Sequence, residues 1–317
     1  MYKEKKIGVV VPAYNESKLI AKVIETMPDY VDRILVVDDC SKDDTVNIIK
    51  QYVSPSGGKV QLFEHQENQG VGGAIATGYK EFRDLGFDVT VVMAGDAQMN
   101  PDDLPFLIEP IINGSADYAK GNRLFTGDAW NKIPKVRYLG NSAMSLLTKI
   151  ASGYWNLADS QSGYTAINLK ALKTIDWDRM YKKYGQPNDL LVRLNINNFR
   201  VRDVPVSPIY NIGEKSGVKP IRMIPKLSFL LFRLFVSRMW QKYVIRDFHP
   251  LVFFYTMAFF LLLGSIPLGL RVFYYWFVLD VGVPPINALA WMSSVIAGLQ
   301  SLFFAMWFDM EYNKDLR

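Results

Sequence analysis

From Leu251 to Leu270 the chain carries no charged residue; Arg271 interrupts, and the apolar run resumes from Val272 to Leu279. Val281 to Phe308 is a second uncharged stretch. Each is long enough to cross a bilayer with some tilt, and two in succession fit a membrane hairpin better than core helices of a soluble protein. The segment between them, Asp280 to Pro285, has no Lys or Arg, whereas Arg238, Lys242 and Arg246 precede the first stretch and Lys314 and Arg317 follow the second. The positive-inside rule then puts both ends on the cytoplasmic side. We expect a two-helix transmembrane hairpin over 250–317 with a short cytosolic tail.

Charge becomes informative once it is located. Residues 211–249 form a basic stretch: with Pro250 included, eight Lys or Arg face only Glu214 and Asp247, while the rest of the chain is close to neutral. Anionic lipid headgroups attract such a juxtamembrane segment at about 1 kcal/mol per basic residue. This favours anionic membrane lipids as partners and argues against nucleic acid. Leu227, Leu230, Leu231, Leu234 and Phe235 recur at helical spacing, so the segment is expected to lie at the interface as an amphipathic helix. After Met1 to Lys6 comes an apolar run of strand length, too short for a signal-peptide core. Cys40 is the single cysteine, which excludes a disulfide framework and a zinc cluster.

Residues 1–210 follow a different pattern. Ile7 to Val11, Ile34 to Val37 and Val89 to Met93 are short apolar runs that predict buried parallel strands. Helices are expected at Ser17 to Met27, Asp44 to Tyr52 and Gly73 to Phe82, the second capped by Asp44-Thr45. This alternation implies an α/β domain with a mostly parallel, doubly wound sheet. Ligands of such sheets bind outside the carboxyl ends of the strands. The residues there are Pro12-Ala-Tyr-Asn-Glu16, Asp38-Asp39-Cys-Ser-Lys-Asp-Asp44 and Ala94-Gly-Asp-Ala-Gln98, three acidic strand ends converging on one crevice.

Gly70-Val-Gly-Gly-Ala-Ile75 is not a dinucleotide fingerprint, because Ile75 stands where glycine is needed and no strand precedes it. Its glycines either let a helix start lie close to the sheet or let backbone approach a ligand. Asp38 and Asp39 combine two roles, a turn or cap and a nucleotide contact, and one of the two is structural. Asn100, Asp102 and Asp103 around Pro101 suit a helix start. That leaves Asp96 for a divalent cation, since Mg²⁺ typically takes one or two carboxylates plus phosphate oxygens.

Together, Val10-Val-Pro-Ala-Tyr-Asn-Glu16, Val37 to Thr45, Asn68 to Gly78 and Asp96-Ala-Gln98 resemble the family-2 glycosyltransferases, and within them the dolichyl- and polyprenyl-phosphate sugar synthases. The resemblance covers about Ile7 to Ser207. It implies a GT-A nucleotide-sugar-binding fold, with Pro12, Tyr14, Glu16, Asp39 and Gly70 around the donor nucleotide, and Asp96 with Gln98 at a Mg²⁺ or Mn²⁺ ion. Where the related D-x-D motif has its first acid this chain has Ala94, which leaves the metal's ligand set open. Gly121-Asn-Arg123, Arg137 with Asn141, and Asp159-Ser-Gln-Ser162-Gly163 match further segments, although Tyr164-Thr165 replaces the usual Phe-Arg. The resemblance implies catalytic roles for Asp96, Arg123, Arg137 and Asp159, and an acceptor phosphate held by Arg123, Arg137 and Ser162. Asn188-Asp189, Val204-Pro-Val206 and Gly213 to Ser216 resemble a C-terminal motif of the same family.

The expected reaction is transfer of a hexose from a UDP-glucose- or GDP-mannose-type donor to undecaprenyl or dolichyl phosphate, with inversion. A phosphate acceptor is already largely ionised at neutral pH and needs positioning more than a general base, and arginine forks are suited to that. Two rival readings remain: a membrane glycosyltransferase acting on a hydroxyl acceptor in polysaccharide or glycolipid synthesis, and a non-catalytic adaptor on a degenerate transferase fold. Two spans that bury little by themselves are compatible with a homo-oligomer. The location expected is a bacterial or archaeal inner membrane, or the cytosolic face of the endoplasmic reticulum.

Overall fold

The computed structural model describes residues 1–54, 57–124, 135–207, 209, 220–279 and 282–317, with the backbone only for 135–139, 141 and 220–223. Contacts divide the chain into two compact units, Met1–Phe235 with Asp315–Arg317, and Val236–Lys314.

The first unit is built on a seven-stranded sheet in the order β3-β2-β1-β4-β6-β5-β7. Its strands are β1 (Ile7–Ala13), β2 (Arg33–Asp38), β3 (Val60–Glu64), β4 (Val89–Val92), β5 (Tyr118–Asn122), β6 (Thr165–Asn168) and β7 (Val201–Pro205). β1 pairs in parallel with β2 and β4, as the three apolar runs predict; β2 with β3 and β5 with β7 are parallel as well. The apolar runs gave no sign of β3, β5, β6 or β7, and β6 runs antiparallel between β4 and β5. Because every residue of β1 is buried, its two faces feed two cores. Val9 and Val11 pack with α1 (Ile20–Glu25) and α4 (Leu104–Ile112). Val10 packs with α3 (Val71–Asp84), α6 (Leu169–Thr174) and α7 (Gln186–Ile196), α6 and α7 being numbered after α2 (Thr45–Lys50) and α5 (Lys135–Ser152). Such two-sided burial is why the parallel strands read as continuous rather than alternating apolar runs.

The α2 start differs from expectation. Asp44 makes no capping bond and instead accepts from Asn47 Nδ2; Asp43 Oδ1 accepts from the Thr45 amide at 3.1 Å and from its hydroxyl. Asn100, as anticipated, caps the 3₁₀ turn Pro101–Asp103 by accepting from the Asp102 amide.

Helix α8 (Pro220–Trp240) follows. Its Leu227, Leu231 and Phe235 pack on Met144 and Ala151 of α5, while Phe229, Phe232, Val236 and Trp240 are exposed. In the second unit α9 (Leu251–Phe273) continues with π-helical geometry to Val278 and is followed by α10 (Pro285–Tyr312). Each helix is 28 residues long and apolar enough to cross a membrane, and only 17% of each apolar window is buried within the protein. The second extends beyond the uncharged stretch to include Asp309, with a consequence for the basic segment. Arg238 is fully buried, donating from Nη1 and Nη2 to the two Asp309 carboxylate oxygens at 2.8 Å each. Lys242 is also buried and donates to Asn313 Oδ1 at 2.8 Å. Of the three cations expected to meet lipid headgroups just before the first span, only Arg246 is exposed.

Candidate active site

Three loops leave the carboxyl ends of β1, β2 and β4, and in each a non-glycine residue takes positive φ: Asn15 (58°), Cys40 (65°) and Ala97 (55°). Left-handed conformations at such residues cost free energy and concentrate at functional sites. Asn15 Oδ1 accepts from the Lys42 amide, the Asn15 amide donates to Ser41 Oγ, and the Glu16 amide donates to Thr45 Oγ1, so the first two loops are tied together. Pro12 belongs to β1 and its carbonyl accepts from the Gly95 amide, linking the first loop to the third; Tyr14 is exposed.

The structure separates the two aspartates after β2. Asp39 is 3% exposed, and its carboxylate accepts from the Gln69 amide (2.8 Å) and the Gly70 amide (2.7 Å) and lies 2.8 Å from His65 Nδ1. Expected beside the base and ribose, Asp39 thus has an internal hydrogen bond on each carboxylate oxygen. Asp38 Oδ2 accepts from the Ser41 amide, and its buried Oδ1 has no partner among the described residues. Two glycines of the 70–75 stretch lie against the backbone of a distant turn. A Cβ on Gly70 (φ 85°) would lie 2.5 Å from the Lys182 carbonyl oxygen, and one on Gly72 would lie 2.4 Å from that of Tyr181. The Gly72 amide donates to the Lys182 carbonyl at 2.9 Å. Asp189 braces the same turn, accepting from the Tyr181 amide (2.8 Å) and from Arg193 Nε (2.9 Å). Asp39, the glycine stretch and Asp189 thus join in one scaffold.

A solvent-open cleft is lined by Asp96, Gln98, Met99, Asn100, Arg123 and Ser162, among others. It gathers residues that are far apart in sequence. Asp96 Oδ1 accepts from the Gln98 amide at 3.1 Å. Glu16 is pushed up to about 7, first by its half-buried setting and then by the charges of Asp96 and Asp43, so the two acidic loops share one electrostatic environment. On the other wall Arg123 donates from its amide (3.3 Å), Nε (2.7 Å) and Nη2 (3.1 Å) to the fully buried Asp159. Burial opposes ionisation of Asp159, but Arg123 outweighs it and holds the carboxyl below its usual range. Asp159, expected to be catalytic, is ion-paired with Arg123. Arg137 lies on α5; its side chain, that of Asn141 and the segment Gly213 to Ser216 lie outside the described residues.

Sequence reasoning missed two residues behind this wall. Lys120 on β5 is fully buried and donates to the Ser162 carbonyl; in the β5–β6 register it stands opposite Thr165. Burial brings its ammonium down to about 8, against the raising influence of Asp159 and Asp203. Asp203 on β7 is pushed up to about 6, chiefly by burial. Its Oδ2 accepts from Asn122 Nδ2 and the Ala158 amide, and its Oδ1 has no partner among the described residues. The signal available in the sequence was a single lysine inside Tyr118-Ala-Lys-Gly-Asn122, a run otherwise free of charge.

No group of three or more His, Cys, Asp or Glu side chains converges as a metal centre among the described residues. The residues fit a cation that shares its shell with a ligand: Asp96 supplies a carboxylate, Gln98 an amide oxygen, and the charge repulsion felt by Glu16 is what a cation would relieve.

The model of Glycosyl transferase family 2 matches residues 8–176. A UDP-N-acetylglucosamine–dolichyl-phosphate N-acetylglucosaminyltransferase from Methanococcus voltae is 35% identical over 219 residues, covering 65% of this chain and 87% of its own. An undecaprenyl-phosphate mannosyltransferase from Micrococcus luteus is 30% identical over 205 residues, covering 64% and 83% respectively. Among solved structures, glucosyl-3-phosphoglycerate synthase from Mycobacterium tuberculosis, in complex with Mn²⁺, UDP and glucosyl-3-phosphoglycerate, aligns with a TM-score of 0.52 at 22% identity. That alignment covers 74% of this chain and 80% of that one, and shows a shared fold.

Proposed function

We propose, from the premise that the chain belongs to glycosyl transferase family 2 and is therefore a glycosyltransferase with a GT-A-like fold, that it transfers a hexose from a nucleotide-sugar donor to polyprenyl phosphate with inversion. One observation carries the reading: a single cleft has acidic Asp96 with Gln98 on one wall and the Arg123–Asp159 pair with Ser162 on the other. The relatives named above act, by their names, on dolichyl or undecaprenyl phosphate, which supports a prenyl-phosphate acceptor; a UDP-glucose- or GDP-mannose-type donor is our finer reading.

In this mechanism the acceptor phosphate oxygen attacks the anomeric carbon from the face opposite the leaving group. The bond to the nucleoside diphosphate breaks with its electron pair, and no proton needs to be removed from the nucleophile. Arg123, fixed at three atoms by Asp159, orients the acceptor phosphate beside Ser162. Arg137 is proposed to assist on the acceptor side. Asp96 and Gln98 would hold a divalent cation, Mg²⁺ or Mn²⁺, that offsets charge building on the diphosphate. Pro12 near the end of β1, Tyr14 and Glu16 on the first loop, Asp38 with an oxygen that has no partner among the described residues, and Asp39 with Gly70 border the donor nucleotide. The hairpin α9–α10 anchors the enzyme, with the catalytic unit proposed to face the cytoplasm.

The test is purified full-length protein with radiolabelled nucleotide sugars and undecaprenyl or dolichyl phosphate, with Mg²⁺ or EDTA, beside Asp96→Ala and Arg123→Ala. Label is expected in the organic phase for wild type, with each variant lowered by about 100-fold or more. Label confined to water-soluble polymer, or retention of configuration at the anomeric carbon, would overturn the acceptor or the mechanism respectively.

A further inference from the structure

We propose that Lys120 is a positioning residue for the transfer: its ammonium, beneath the cleft, fastens the Ser162 carbonyl and balances Asp159 and Asp203, so that Arg123 and Ser162 present a fixed wall to an incoming phosphate. The inference rests on the acceptor reading above. Lysine in the interior of a strand is costly, and an apolar residue would pack there more cheaply. Here it is fully buried, one residue before Gly121 and three before Arg123. The charged groups around it come from several elements: Arg123 at the end of β5, Asp159 from the segment before β6, and Asp203 from β7, with Lys149 of α5 acting on Asp203 in turn. Tyr79 of α3 faces Thr165, Lys120's cross-strand partner, and burial keeps its phenol un-ionised.

With both cations protonated and both carboxylates ionised, the four groups Lys120, Arg123, Asp159 and Asp203 sum to zero. Loss of the Lys120 proton leaves one net negative charge behind the wall that receives a phosphate. Since burial lowers Lys120 to about 8, acceptor affinity is expected to weaken as pH rises through that value. Asp203 raises the lysine's proton affinity, so neutralising it moves the same transition to lower pH.

The experiment measures KM for polyprenyl phosphate and kcat between pH 7 and 9.5 for the full chain, Lys120→Met and the near-isosteric Asp203→Asn. In wild type the acceptor KM is expected to climb at alkaline pH. Lys120→Met should show a KM raised about tenfold at pH 7 and flat above it, so that the two curves converge; Asp203→Asn should begin its climb at lower pH than wild type. A uniform fall in kcat with the wild-type pH profile retained in both variants would mean that Lys120 only supports the fold, and would overturn the proposal. If Lys120→Met does not fold, the displaced or undisplaced profile of Asp203→Asn decides. Wild-type protein that labels no polyprenyl phosphate would instead sink the functional reading, whereas active wild type with unmoved variant profiles sinks this inference alone.

Discussion

Asp159 and Asp203 show how one buried environment moves two carboxyls in opposite directions. Asp159 gains Arg123 and is held below its usual range, so its contribution to stability is present above the unfolded-state value and is lost as pH falls below it. Asp203 is raised to about 6 with one oxygen unpartnered, so its protonated form is favoured in the folded state and stability falls as pH rises from the unfolded value, about 4, through 6. Asp203→Asn should remove that second slope, a change on the order of 2–3 kcal/mol between pH 4 and 7. Asp159→Asn should instead lower stability at pH 7 and narrow the gap to wild type in acid. Unfolding midpoints measured across pH 3–7 would check both; parallel curves for all three proteins would refute the assignment.

At the scale of elements, the junction between α3 and the Tyr181–Lys183 turn is set by close backbone approach. Gly72→Ala places a Cβ 2.4 Å from a carbonyl oxygen and should cost about 1–3 kcal/mol. Gly140→Ala, in α5 with no described atom within 4 Å of the new Cβ, should be stabilising by about 0.5–1 kcal/mol through helix propensity. Thermal unfolding distinguishes the two signs. The second unit has a different element-level device, the buried Arg238–Asp309 pair with Tyr243 Oη donating to Asp309 Oδ1 at 2.6 Å. Removing either partner leaves the other charge buried without its ion-pair partner and is expected to cost about 3–5 kcal/mol, whereas Arg238→Met with Asp309→Leu should recover most of that loss. A double-variant cycle that is simply additive would show that the pair does not act as a unit.

For the molecule as a whole, the proposed topology puts the catalytic unit and the connection between the spans on opposite sides of the membrane. Cys40, the single cysteine and partly exposed, serves as a native reporter. A membrane-impermeant thiol reagent should label it only when the cytoplasmic face is accessible. In a Cys40→Ser background, Gly282→Cys should be labelled from the other face. Labelling of both positions from one side would overturn the hairpin arrangement. The chain should also remain with the membrane at alkaline carbonate, because two 28-residue helices expose most of their apolar surface to the surroundings.

Much of this was legible in the sequence because its physical cause is local. Strand and span lengths follow from runs such as Ile7 to Val11 and Leu251 to Leu270, and Asp96, Gln98, Arg123 and Ser162 could be picked out by type and motif before their common cleft was known. What sequence could not determine depended on partners distant along the chain. Asp38 and Asp39 are indistinguishable as a dipeptide, and only the fold brings the amides of Gln69 and Gly70 to the second one. The glycines of 70–73 were read against the sheet or a ligand, and only the fold shows that Gly70 and Gly72 lie against a turn more than a hundred residues away. Arg238 looked like a headgroup-facing cation until α10 carried Asp309 to it, and Lys120, in a segment not read as a strand, gained its carboxylates only from β7 and the segment before β6. Periodicity and composition record what each residue prefers as its solvent, whereas charge pairing, burial of a polar atom and the distance between backbones are properties of two segments at once, and only the folded chain brings those segments together.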